Sequence, residues 1–161
     1  MIDYNTYEDF HNLVKDVLCD NYAVASANII YLEELASTNY VIYLTQFRDI
    51  LMHLTHIYEI DDIFSSTGKN DVLTQLERIK GHLERIVIDS YQKICVCLKE
   101  MIENSVQQSE WLTIKTQLAQ RIKDLRISDT SVSFSERKEN FQKLIEYMES
   151  VIKKFCPTFG N

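Results

Sequence analysis

Apolar residues recur every three to four positions through most of this chain, and no stretch alternates apolar with polar residues over the length of a strand. The spacing predicts five helices. The first starts near Asn5 or Thr6, where Asn5 and Glu8 have capping-box spacing, and turns Phe10, Leu13, Val14, Val17, Leu18, Ala25, Ile29, Leu32 and Ala36 inward. Asn21 is a candidate bend within it, and Ser37-Thr38-Asn39 closes it. The second runs from about Tyr40 to Ile60, with Leu44, Phe47, Leu51, Leu54 and Tyr58 as its core stripe. Polar residues Ser65 to Asn70, with Gly68 among them, form the clearest turn.

The third helix extends from about Asn70 to Asn104 and would be about 50 Å long at 1.5 Å per residue. Its seam is Leu73, Leu76, Ile79, Leu83, Ile86, Val87, Tyr91, Ile94, Leu98 and Met101 or Ile102. Gly81 lies inside it, and a close approach by a neighbouring helix or ligand would explain a glycine there. A fourth helix over Glu110–Ile127 turns Trp111, Ile114, Leu118, Ile122 and Leu125 inward. After a loop at Ser128–Val132, Ser133 and Glu136 cap a fifth that buries Phe141, Leu144, Ile145, Met148, Ile152 and Phe155. Pro157 and Gly160 close the chain. The expected fold is all-α, an up-and-down bundle of about five helices with a long third helix, forming a single domain over residues 1–161.

Composition agrees. The chain has 161 residues, 45% of them hydrophobic, with only three glycines and one proline. Breakers this rare fit a helical protein. No apolar run approaches the roughly 18 residues of a membrane span, and the N-terminal residues lack the basic-then-apolar order of a signal peptide. A cytoplasmic protein with no membrane partner is the expectation. Cys19, Cys95, Cys97 and Cys156 form no CxxC pair and no zinc-finger pattern, so they read as buried thiols in a reducing compartment. No metal or cofactor is implied: di-iron bundles need Glu-x-x-His on two helices, and phosphate-loop, GxSxG and HExxH signatures are absent.

The net charge of −7 is unevenly spread, with −9 in residues 1–62 and +2 in residues 63–161. Lys115, Arg121, Lys123 and Arg126 outnumber Asp124 between Trp111 and Arg126. That strip reads as a solvated helix face first and a weak phosphate-facing surface second.

Candidate chemistry concentrates in two polar stripes on the second and third helices. Arg48, Asp49 and His53 form one; His82, Arg85 and Asp89 form the other. Charges within apolar helices are costly unless paired or used. Counting outward from a turn near Gly68 sets Arg48 level with Asp89, brings Arg85 towards Asp49, and places His53 beside His82. Such a cluster either fixes the register of the hairpin or supplies imidazoles and guanidiniums for acid–base and phosphate chemistry.

Arg48-Asp49-x-x-x-His53 resembles the R-x4-6-H motif of the HEPN superfamily, in which a polar residue often follows the arginine. The resemblance implies a helical bundle and a homodimer with a composite site. It also implies metal-independent RNA cleavage in toxin–antitoxin or antiviral defence systems. His53 would then handle protons at the attacking or leaving oxygen, Arg48 would hold the scissile phosphate, and Asp49 would orient either. His56 is a possible substitute for His53 or a solvent-facing residue. Non-catalytic members of that superfamily serve in dimerisation or in binding other proteins. An interaction module is therefore the alternative expectation, its partner a second copy or another helical protein.

Overall fold

In a computed structural model of the chain, residues 4–36, 40–128, 132–156 and 159 are described, apart from the side chains of residues 108 and 126–128. Five helices follow in order: α1 (Tyr7–Ala36), α2 (Ile42–Tyr58), α3 (Ser66–Ser105), α4 (Gln108–Ser128) and α5 (Phe134–Phe155). The fold is all-α, with no strand among the described residues, and α3 is the longest helix at 40 residues. The expected turn residues Ser37 to Asn39, Asp129 to Ser131, Pro157 and Gly160 lie outside the described residues.

Local chemistry moves several boundaries. Thr6, not Asn5, caps α1: its hydroxyl accepts from the amide of Asp9 at 3.1 Å. The Asp9 carboxylate accepts in return from the amides of Thr6 and Asn5, both at 3.2 Å. The hydrogen bond with Thr6, then that with the Asn5 amide, hold the Asp9 carboxyl below its ordinary range. Asn21 does not interrupt the helix.

α3 begins four residues before the expected Asn70 because the preceding polar residues act as a cap and not as an extended loop. The Ser65 hydroxyl accepts from the Gly68 amide at 3.0 Å, and the Asp62 carboxylate accepts from the amides of Phe64 and Ser65. Gly68 is required there, since an added Cβ would lie 2.0 Å from the Asp62 carbonyl oxygen. At Gly81 nothing lies within 4 Å of an added Cβ, so the close approach expected at that glycine is not made. At the start of α5, the Ser133 hydroxyl accepts from the Glu136 amide as expected.

The chain divides into two compact units, Met1–Ile30 with Thr38–Val87 and Tyr31–Ser37 with Ile88–Asn161; α1 and α3 contribute to both. In the first unit, α3 buries Val72, Leu76, Ile79, Leu83, Ile86 and Val87, and α1 buries Ala25. Tyr4 seals one end: it is 1% exposed, its hydroxyl donates to the Ile63 carbonyl at 2.8 Å, and its ring meets those of Phe10 and Phe64. In the second unit, Ile94, Leu98 and Ile102 of α3 and Leu144, Met148 and Ile152 of α5 are buried. There Tyr91 stacks on Phe141, and Tyr31 donates to Glu149 at 2.6 Å. Between α4 and α5, Tyr147 donates to Gln117 at 2.6 Å while the Arg121 guanidinium lies 4.1 Å from the Tyr147 ring centre.

Candidate functional site

α2 carries two apolar stripes, and the structure buries the one the sequence spacing did not favour. Tyr43, Ile50 and Ile57 are its buried residues, with Phe47 and Leu54 half-buried beside them. The ring of Phe47 meets Tyr22 of α1 edge-on at 5.7 Å. The expected core residues Leu44, Leu51 and Tyr58 are exposed. Each lies one position C-terminal to a buried residue, and one position is about 100° of helix rotation, enough to turn a stripe from core to surface. The outer stripe spans Val41, Leu44, Arg48, Leu51, Thr55 and Tyr58, a repeat of three and four over the whole helix.

The polar residues divide between these faces. The Arg48 side chain is 72% exposed and ion-paired to its neighbour Asp49 at 3.0 Å. Arg48, and not Arg85, is thus the partner of Asp49. Asp89, expected opposite Arg48, belongs to the second unit and is exposed. The level-by-level count fails because Gly68 lies inside α3, not at the centre of the turn. The hairpin instead centres on Phe64, as its two cross-helix hydrogen bonds show.

Those bonds involve both histidines. Nδ1–H of His53 donates to Oε1 of Gln75 at 2.7 Å, and Nδ1–H of His82 donates to Oε1 of Gln46 at 2.8 Å. Each imidazole on one helix thus takes an amide on the other. The two rings lie 5.4 Å apart between the pairs, and the exposed His56 ring is 6.4 Å from that of His53. Burial depresses the pKa of His82 most; proximity to His53 and Arg85 lowers it further, against the favourable pull of Asp49. Gln46 and Gln75 were missed from sequence because amides carry no charge. Their spacing to the histidines, seven residues on each helix, was the available signal.

Arg48 and His53 do not converge. Five residues apart, they diverge by about 140° on a helix. His53 faces α3, while Arg48 stands in the outer stripe.

In the second unit a cavity of about 500 Å³ opens between α3, α4 and α5, lined by Cys95, Val96, Lys99, Ile122, Leu125 and Phe141 among others. Burial pushes the Cys95 thiol up to about 12, so it is a packing group there and not a nucleophile. No cysteine pairs with another in a disulfide; Cys19 is exposed, and Cys95, Cys97 and Cys156 are half-buried, where the sequence led to four buried thiols. Among the described residues no group of His, Cys, Asp and Glu is placed to hold a metal, and no helix is long and apolar enough to cross a membrane.

No protein-family model, curated protein or solved structure matches this chain.

Proposed function

We propose that the chain is a non-catalytic helical interaction module whose docking face is the outer stripe of α2. One observation carries this reading. Val41, Leu44, Leu51 and Tyr58 are each more than three-fifths exposed, on one face of a single helix, with Ile42 and Met52 beside them. Scattered exposed apolar residues are ordinary on a protein surface, but four at helical spacing along one face, broken only by Arg48 and Thr55, support a contact surface.

The polar cluster supports the same reading. Both histidines spend Nδ1 on amides of the facing helix, which is what a register-fixing role requires. The HEPN-like alternative needs Arg48 and His53 to serve one phosphate, and within one chain they face apart. The Arg48–Asp49 ion pair fits either reading, since that alternative has Asp49 orient Arg48 or His53.

The test places a photo-crosslinking side chain at Leu51, and a control at the exposed Glu77 of α3, in cells that make the protein. Covalent protein adducts are expected from position 51 and not from position 77. In parallel, the purified protein is incubated with RNA in EDTA. Intact RNA is expected; cleavage that His53→Ala abolishes without lowering the melting temperature would overturn the reading in favour of a nuclease.

A further inference from the structure

We infer that the occupant of this docking face is the same face of a second copy, with the two α2 helices packed antiparallel about a two-fold axis. The inference rests on the docking reading above and adds the partner.

The first argument is periodicity. Val41, Leu44, Arg48, Leu51, Thr55 and Tyr58 follow the alternating three-four spacing of a coiled-coil seam, which pairs best with a helix of the same spacing. The Thr55 hydroxyl is already spent on the Leu51 carbonyl at 3.0 Å, which frees the side chain from any need for a partner across the seam. Arg48 decides the direction. In a parallel pair it would meet Arg48 of the other copy at the seam. In an antiparallel pair centred between Arg48 and Leu51 it packs its methylenes on Leu51 of that copy, and Leu44 meets Thr55.

The second argument is charge. The N-terminus of α2 has no acid in its first turn, and its N-cap, Val41, provides no side-chain hydrogen bond. The other end runs straight into Glu59 and Asp61, both exposed. Antiparallel pairing sets these acids beside the positive end of the second copy's α2 dipole, and the two-fold axis repeats the match at both ends. Parallel pairing would set acids against acids. A second copy supplies both halves of this complement at once.

The third is size. The seam is about 25 Å long. Its six side chains would hide on the order of 600 Å² per copy, near the lower edge of a standard interface of roughly 800 Å² per partner. An interface at this end of the range suits a weak dimer whose population depends on concentration.

Sedimentation velocity across the micromolar range tests this. The wild type is expected to shift from one chain mass to two as concentration rises. Leu51→Glu, beside the axis, is expected to remain at one chain mass and to match the wild-type melting temperature at concentrations where both are single chains. Should Leu51→Glu fail to fold, Thr55→Glu at an exposed polar position of the same seam makes the test. With Cys19→Ser removing the exposed thiol, Leu44→Cys mixed with Thr55→Cys is expected to form a disulfide-linked dimer, and Leu44→Cys alone is not. A wild type that stays at one chain mass, a dimer that survives both charge substitutions, or a self-linked Leu44→Cys dimer would each overturn the proposal. The photo-crosslink separates the two readings. Adducts from position 51 at twice the chain mass support both. Adducts only with a different protein uphold the docking face and overturn the second copy. No adduct overturns both.

Discussion

Ile50 and Leu51 are adjacent, similar in size and equally apolar, yet the structure assigns them opposite environments: 4% and 63% exposed. Truncating each to alanine therefore measures which face of α2 is the inner one. Ile50→Ala removes a buried branched side chain among Tyr43, Ile57 and the facing helices, and changes of that kind cost about 3 kcal/mol, transfer and cavity together. Leu51 is little more than one-third covered. Full burial of a leucine contributes about 2.5 kcal/mol, so Leu51→Ala is expected to cost less than about 1 kcal/mol, partly offset by the better helix propensity of alanine. For a chain of this length those figures correspond to falls of roughly 6–12 °C and at most about 4 °C in melting temperature. Urea unfolding followed by far-UV circular dichroism gives both values. It should be run at the lowest workable concentration, so that a second copy does not cover Leu51. Equal losses from the two substitutions, or a larger loss from Leu51→Ala, would refute the assigned facing of α2 and with it the exposed seam.

Other outcomes rest on single residues. The folded-state pKa of His82 is depressed below its ordinary 6.5, so the unfolded chain binds more protons in that range. Stability is accordingly full above about pH 6.5 and declines as pH falls through that value towards the folded pKa; His82→Gln should flatten this part of the pH–melting curve. Gly81→Ala should stabilise by about 0.5–1 kcal/mol, since the added methyl meets nothing and alanine is the better helix former, whereas Gly68→Ala should destabilise by forcing the Asp62 carbonyl away; chemical unfolding of both variants checks the contrast. Iodoacetamide labelling at neutral pH, read by peptide mass, should modify the exposed Cys19 well before Cys95, whose thiol burial keeps protonated.

The architecture was legible because helical periodicity needs only residue types. The seam of α3 from Leu76 to Leu98 and the inward face of α5 are evident from spacing alone and are buried. α2 was misread for a physical reason. It is apolar on two faces, Tyr43-Ile50-Ile57 and Val41-Leu44-Leu51-Tyr58, and periodicity identifies stripes without saying which one a neighbour covers. The boundary of α3 was missed because Ser65 and Asp62 look like loop formers yet act as caps for the helix after them. That displaced the centre of the hairpin from Gly68 to Phe64, and every level-by-level pairing counted from it moved as well. His53 and His82 still meet, because side chains on a helix lean towards its N-terminus and these two lean towards each other on antiparallel helices.

The crossed histidine–glutamine pairs have a consequence for how the hairpin finds its alignment. The inner face of α2 repeats at intervals of seven, Tyr43 to Ile50 to Ile57, and α3 offers Val72, Ile79 and Ile86 at the same interval. Hydrophobic contact is therefore nearly blind to a slip of one heptad: the misaligned hairpin would bury much the same surface. The polar pairs are not blind. Gln46 and His53 are seven apart, as are Gln75 and His82, and only the native alignment gives each imidazole an amide. Slip one way and His53 falls level with His82; slip the other and Gln46 falls level with Gln75, leaving both imidazoles without their amides. Two weak hydrogen bonds thus work as a checksum on a repetitive core, rejecting a misfold that its oily contacts would accept.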